Sequence, residues 1–193
     1  MIRMDRPAGA LRRDLVELRR WHAGDADALH PVITGALDHL RPWMPWAAGH
    51  DRAGTEEYLA RCEREWAADR SYDYAITADG AVVGSCGLMR RIGPGGVEIG
   101  YWLHPAATGR GLATMAAAAL VDAGRLLTGI DRAEIHHDQA NPASGAVARR
   151  LGFTAVGRAA QQGGPAAPGE SGVQVVWRLA LRAAGAPGRP GTA

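Results

Sequence analysis

Residues 96–120, GVEIGYWLHPAATGRGLATMAAAAL, carry the reading on which the fold turns. GVEIGYWL at 96–103 is a strand by its β-branched and aromatic content. After it, two glycines, Gly109 and Gly111, stand directly before ten residues of almost pure helix former. Glycine lets backbone N–H groups converge with no Cβ in the way, and the helix adds its own free N–H groups and the positive end of its dipole. The fragment alone leaves two readings open: a tight strand-to-helix connection, or a site for an anion.

The sequence on either side supplies the context. SYDYAITADGAVVGSCGLMRRI at 71–92 reads as two strands joined by Asp79-Gly80, the pair that type I′ hairpins prefer, so the middle of the sheet is antiparallel. RAEIHHD at 132–138 is a further strand, NPASGAVARRLG at 141–152 a short helix stopped by Gly152, and Phe153–Arg158 and VQVVWRLAL at 173–181 two last strands. Towards the N-terminus, RDLVELRRW at 13–21 reads as the first strand, and DADALHPVITGALDHL has helical spacing that Pro31 interrupts. LRPWMPWAAG at 40–49 is an ordered loop, and Thr55 is the expected cap of a helix running to Asp69. GGPAAPGE is loop by composition, and residues 183–193 read as a disordered tail. The expected fold is α+β (mixed α/β), one domain over 11–182 with a mostly antiparallel sheet of six or seven strands.

Composition narrows the function. With 193 residues, 47% hydrophobic and 22% charged, the chain suits a single core, and no run approaches the roughly 18 apolar residues of a membrane span. The net charge of +2 gives no reason to expect nucleic acid or a membrane as partner, and a cytoplasmic protein is expected. All 22 basic residues are arginine, which excludes a lysine-dependent phosphate loop and a pyridoxal phosphate Schiff base. Cys62 and Cys86 have no metal or redox spacing, and the neighbours His136 and His137 point to opposite faces of their strand, so no metal is expected.

The succession of hairpin, EIGYWL, TGRGLAT, long helix, strand and NPASGAVARRLGF resembles the GCN5-related N-acetyltransferase family. LRPWMPWA followed by a helix and YDYAI resembles the subgroup containing the ribosomal-protein N-terminal acetyltransferases. The resemblance covers residues 11–182. It implies helices on both faces of the sheet, a fourth and fifth strand that splay apart, and acetyl-coenzyme A in the cleft. It also implies that the pyrophosphate lies on Thr108, Gly109, Arg110, Gly111, Leu112, Ala113 and Thr114, with Asn141 at the pantetheine arm. The family loop begins with glutamine or arginine where this chain has Thr108, and Arg110, Arg149 or Arg150 is the expected substitute.

The implied reaction is direct attack of an amine on the thioester, without a covalent enzyme intermediate. The Leu103 backbone N–H would receive the oxyanion, Ser144 would protonate the thiolate, and Glu98 would act as base beside the acceptor, with Trp43 and Trp46 on the acceptor side. The acceptor is a peptide or small-molecule amine, and a homodimer stays open. A competing reading is a non-catalytic domain that binds or senses acyl-coenzyme A.

Overall fold

The computed structural model of the chain describes residues 4–161 and 166–181. Its strands are β1 (Ala10–Arg13), β2 (Val16–Arg20), β3 (Ser71–Ala78), β4 (Ala81–Met89), β5 (Gly96–Leu103), β6 (Arg132–Asp138), β7 (Thr154–Ala160) and β8 (Val173–Ala180). They form one sheet in the order β1-β2-β3-β4-β5-β6-β8-β7. Every adjacent pair is antiparallel except β5 and β6. The connection from β5 to β6 is therefore the crossover that needs a helix, and the alanine-rich run 112–126 supplies it.

The helices are α1 (Ala26–Thr34), α2 (Leu37–Leu40), α3 (Arg52–Ala67), α4 (Leu112–Leu126) and α5 (Pro142–Arg150). Alternation along the strands divides the core. Leu18, Ile76, Cys86, Val97 and Ile99 pack with α4 through Leu112, Ala116 and Leu120, while Ala75 packs on the other face with Leu29 and Ile33 of α1 and Leu59 and Cys62 of α3. Leu112 and Leu120 are fully buried, and each contributes about 1.5–3 kcal/mol by leaving water. Because Leu112 is the first residue of α4, its burial pins the glycine turn to the sheet.

Four expectations need correction. The stretch 13–21 is not one strand: Asp14, at φ +50°, turns the chain so that β1 pairs back on β2. That extra strand brings the sheet to eight instead of six or seven. Pro31 does not interrupt its helix, which runs on to Thr34. Thr55 is not a cap: Asp51 accepts the Gly54 N–H at 2.8 Å, and Thr55 is buried inside α3. The Asp79-Gly80 turn is as expected, with φ of +52° and +78°, as a type I′ turn requires. The expected tail at 183–193 and part of the GGPAAPGE loop lie outside the described residues.

One feature of the sheet positions the site. β5 and β6 pair only at Gly96↔Arg132, Val97↔Ala133 and Glu98↔Glu134. Beyond Glu98, β5 stays with β4 as far as Leu103, and β6 stays with β8 as far as Asp138. The two strands thus part, and a cleft opens between residues 99–103 and 135–138.

Candidate active site

The chain leaves the parted end of β5 into the glycine turn at the head of α4. Gly109 and Gly111 hold φ of +75° and +77°, a region in which a side chain is strained. A Cβ at Gly109 would meet nothing within 4 Å, and one at Gly111 only the Met115 methyl at 3.7 Å, so the turn is open on the outside. Within α4 the Met115 N–H is bonded to Gly111 O at 3.0 Å. The N–H groups of Leu112, Ala113 and Thr114 precede it and have no acceptor in the helix, as in any first turn. Converging donors around an unfilled turn at the positive end of a 15-residue helix fit a pyrophosphate. The Thr108 hydroxyl gives its one proton to Pro105 O at 2.8 Å and has none left for a phosphate. Arg110 pairs with Asp79 at 2.7 Å, which ties the turn to the β3–β4 hairpin, and Arg149 lies exposed in the last turn of α5.

Along the cleft the main chain of β5 is free on one side. His104 donates its N–H to Val83 O on β4 at 2.8 Å. Donors alternate sides along a strand, so the N–H groups of Ile99, Tyr101 and Leu103 face the opening. On the α4 and α5 face Tyr101 reaches across to α5, where its hydroxyl donates to Ser144 O at 3.0 Å. The Ser144 hydroxyl, also 3.0 Å away, is then left to donate to the Tyr101 oxygen. Burial pushes the Tyr101 phenol up to about 12, so it stays protonated at neutral pH. Asn141 caps α5 by accepting the Ser144 N–H at 3.2 Å, which orients that serine. His137, on the same face, accepts from Trp177 Nε1 at 2.9 Å and so donates from Nδ1 to Asp138 O at 2.8 Å. It is a packing residue with a fixed tautomer.

The opposite face of the cleft carries Glu98, Trp102, Glu134, His136 and Asp138. Glu98 is buried, and both of its oxygens are taken by Arg91, through Nε at 2.7 Å and Nη2 at 2.6 Å. Glu134 binds Arg178 at 2.6 Å and His136 at 2.7 Å. Burial raises its pKa, but those partners outweigh burial and leave it below the usual range. Asp138 accepts N–H bonds from Ala140, Ser171 and Gly172 at 2.8–2.9 Å, and these likewise outweigh burial and hold its carboxyl low. Trp46, 42% exposed, lies 6.1 Å from Trp102 and edge-on to His50 at 5.5 Å, while Trp43 is half-buried nearby in sequence. The loop is anchored by Thr55, whose hydroxyl meets His50 at 2.9 Å and His30 at 3.0 Å. Burial lowers the pKa of His50, with His30 adding to the effect. Among the described residues no three His, Cys, Asp or Glu side chains gather as a metal site.

One face therefore carries Leu103 and Leu112 in a shared core and Ser144 with its cap Asn141 through Tyr101, and the other carries Glu98 on Arg91 and, four residues further along β5, Trp46 against Trp102. The sequence reading missed Tyr101 and set His136 aside, although period-two alternation places His136 beside Glu134.

A parallel strand pair that parts above a glycine turn and a helix N-terminus defines an acyl-coenzyme A-dependent N-acyltransferase fold. The acetyltransferase (GNAT) domain matches residues 16–154, and the chain belongs to that family. Comparison with curated proteins found no match. Among solved structures, a RimL ribosomal L7/L12 alpha-N-protein acetyltransferase in complex with coenzyme A is 22% identical, with a TM-score of 0.80 over 89% of this chain and 97% of that one. RimJ of Mycobacterium smegmatis, in complex with coenzyme A disulfide, is 24% identical, with a TM-score of 0.77 over 91% and 88% of the two chains. The microcin C7 self-immunity acetyltransferase MccE, in complex with acetyl-CoA and AMP, is 21% identical, with a TM-score of 0.78 over 86% and 93%. As a member of this family, the chain transfers an acetyl group from acetyl-coenzyme A to an amine.

Proposed function

We propose that the acceptor is the α-amine of a peptide or protein. The observation that carries this is the state of the carboxylates on the acceptor face. Glu98 is neutralised by Arg91, Glu134 by Arg178 with His136 bonded to it, and Asp138 is spent on backbone N–H groups. Among the described residues a polycationic amine would find there one carboxylate without an arginine partner, Asp73, and no acidic cluster, whereas Trp46 and Trp102 offer apolar surface to the first residues of a peptide. The structural neighbours that acetylate ribosomal proteins support the same reading.

In this reading the turn from Thr108 to Thr114 holds the pyrophosphate through its backbone. The Leu103 N–H stabilises the oxyanion, Ser144 gives a proton to the departing sulfur, and Tyr101 holds Ser144 in place. Arg149 adds positive charge near the cofactor. A non-catalytic sensing domain would have no use for a hydroxyl pair at the cleft.

The test is a panel of acceptors with acetyl-coenzyme A and detection of the released thiol. N-terminal peptides should exceed polyamines and aminoglycosides in kcat/KM by at least tenfold. The reverse order would refute the peptide assignment.

A further inference from the structure

His136 lies on the part of β6 that has left β5, in register with Gly100 if the pairing of Glu98 with Glu134 is continued by two residues. Gly100 presents no side chain, but the Met89 methyl lies 2.9 Å from where its Cβ would stand, and the His136 side chain keeps 25% of its surface exposed. Its Nε2 is 2.7 Å from Glu134 Oε2. Glu134 is held ionised by Arg178 and can only accept, so this nitrogen carries the proton. In the neutral ring Nδ1 then keeps its lone pair. No hydrogen bond engages Nδ1 among the described residues, and the nearest carboxylate oxygen, Oε2 of Glu98, is 3.9 Å away. The ring is thus oriented by one carboxylate, with Nδ1 unbonded and a second carboxylate 3.9 Å from that nitrogen.

We infer that His136 Nδ1 is the general base that deprotonates the acceptor ammonium, with Glu134 as its positioning residue. The inference rests on the acetyl-transfer reading above. It reassigns the role that the sequence gave to Glu98, because both oxygens of Glu98 are already committed to Arg91. The ammonium gives one proton to Nδ1, and the neutral amine forms the C–N bond to the thioester carbon. As the C–S bond breaks, Ser144 gives its proton to the sulfur and is reprotonated by the second proton that leaves the nitrogen, so that one amide, one thiol and one imidazolium result. Glu134, in contact, and Glu98, across 3.9 Å, stabilise that imidazolium, as a buried carboxylate does in a Ser-His-Asp triad. The charged groups facing this ring are Glu98 with Arg91, Glu134 with Arg132 and Arg178, and Asp138.

The rival on this face is Asp73. It stands in one row with Gly87 and Gly100 across β3, β4 and β5, bonded to Ser71 Oγ at 2.6 Å, and burial raises its carboxyl despite the opposing Ser71 bond and the Arg61 charge.

The experiment measures kcat/KM against pH for wild type, His136→Ala, His136→Gln, Glu134→Gln and Asp73→Asn, with acetyl-coenzyme A affinity by calorimetry as proof of fold. His136→Ala and His136→Gln should bind the donor as wild type does, lose about 10²-fold in kcat/KM and lose the acidic limb of the profile. Added imidazole should restore part of the rate in His136→Ala alone. Glu134→Gln should keep the limb but move it, since the ring keeps its nitrogen and loses its orienting charge. If both His136 variants keep the limb, or the limb disappears in Asp73→Asn alone, the assignment to His136 is wrong and acetyl transfer stands. If wild type binds the donor and acetylates no amine, the transferase reading fails, and the base with it.

Discussion

Replacing Gly111 separates strain in the turn from occupation of the anion site. Gly111 has φ +77°, where an ordinary L-residue costs about 1–2 kcal/mol, and an added Cβ would meet nothing closer than the Met115 methyl at 3.7 Å. Gly111→Ala should therefore lose about 1–2 kcal/mol from conformation alone, a fall in Tm of roughly 2–8 °C for a chain of this size. Asparagine tolerates the left-handed region, so Gly111→Asn should fold with less loss while placing a side chain where the phosphates belong. With acetyl-coenzyme A at a hundred times its Kd, wild type gains about 2.7 kcal/mol by mass action, or roughly 5–11 °C. The assay is a thermal melt with and without the donor, repeated by calorimetry. Gly111→Asn should lose most of the ligand-induced shift. A shift equal to that of wild type in the folded Asn variant would refute the placement of the pyrophosphate on this turn.

Ser144→Ala should keep acetyl-coenzyme A affinity and lower kcat by about 10²-fold, because its proton is needed only as the C–S bond breaks; wild-type turnover would remove it from the mechanism. Tyr101→Phe should cost about 1 kcal/mol of stability, for the loss of the two contacts to Ser144, and lower kcat less than Ser144→Ala does, read by melts and steady-state rates. Asp138→Asn should lose about 2 kcal/mol at neutral pH, since one amide oxygen replaces a carboxylate with N–H donors from three residues. The folded Asp138 titrates below its unfolded value, so its stabilisation is present above that unfolded value, about pH 4, and is lost as the pH falls through the folded one; the gap between variant and wild type should close in acid, checked by denaturant titration across pH. Asp51→Ala should cost about 1 kcal/mol through the lost α3 cap, measured in the same way.

How far the sequence speaks depends on whether the deciding signal is local. The bounds of β5 and β6 match GVEIGYWL and RAEIHHD because each is a run of strand formers between loop segments, and the Asp79-Gly80 turn carries its own backbone requirement. The β1–β2 hairpin was hidden because its turn rests on Asp14 in a left-handed conformation, with no glycine to mark it. Asp51 and Thr55 are both capping residues by type, and only tertiary burial of Thr55 between two histidines decides between them. At the site, the glycine turn and Asn141 were legible because their work is done by backbone and cap. That Glu98 is taken up by Arg91 and Glu134 by Arg178 was not, because neither arginine lies on the strand of the carboxylate it binds. No local pattern says which carboxylate is already spent.

The most direct measurement mixes wild-type protein, acetyl-coenzyme A and a set of N-terminal peptides, and counts free thiol by colour and acetylated α-amine by mass spectrometry in the same sample. The account predicts one acetyl amide for every thiol released, in proportion to enzyme, and no acetyl group left on the protein itself. Donor binding with neither thiol nor amide formed on any amine would contradict it.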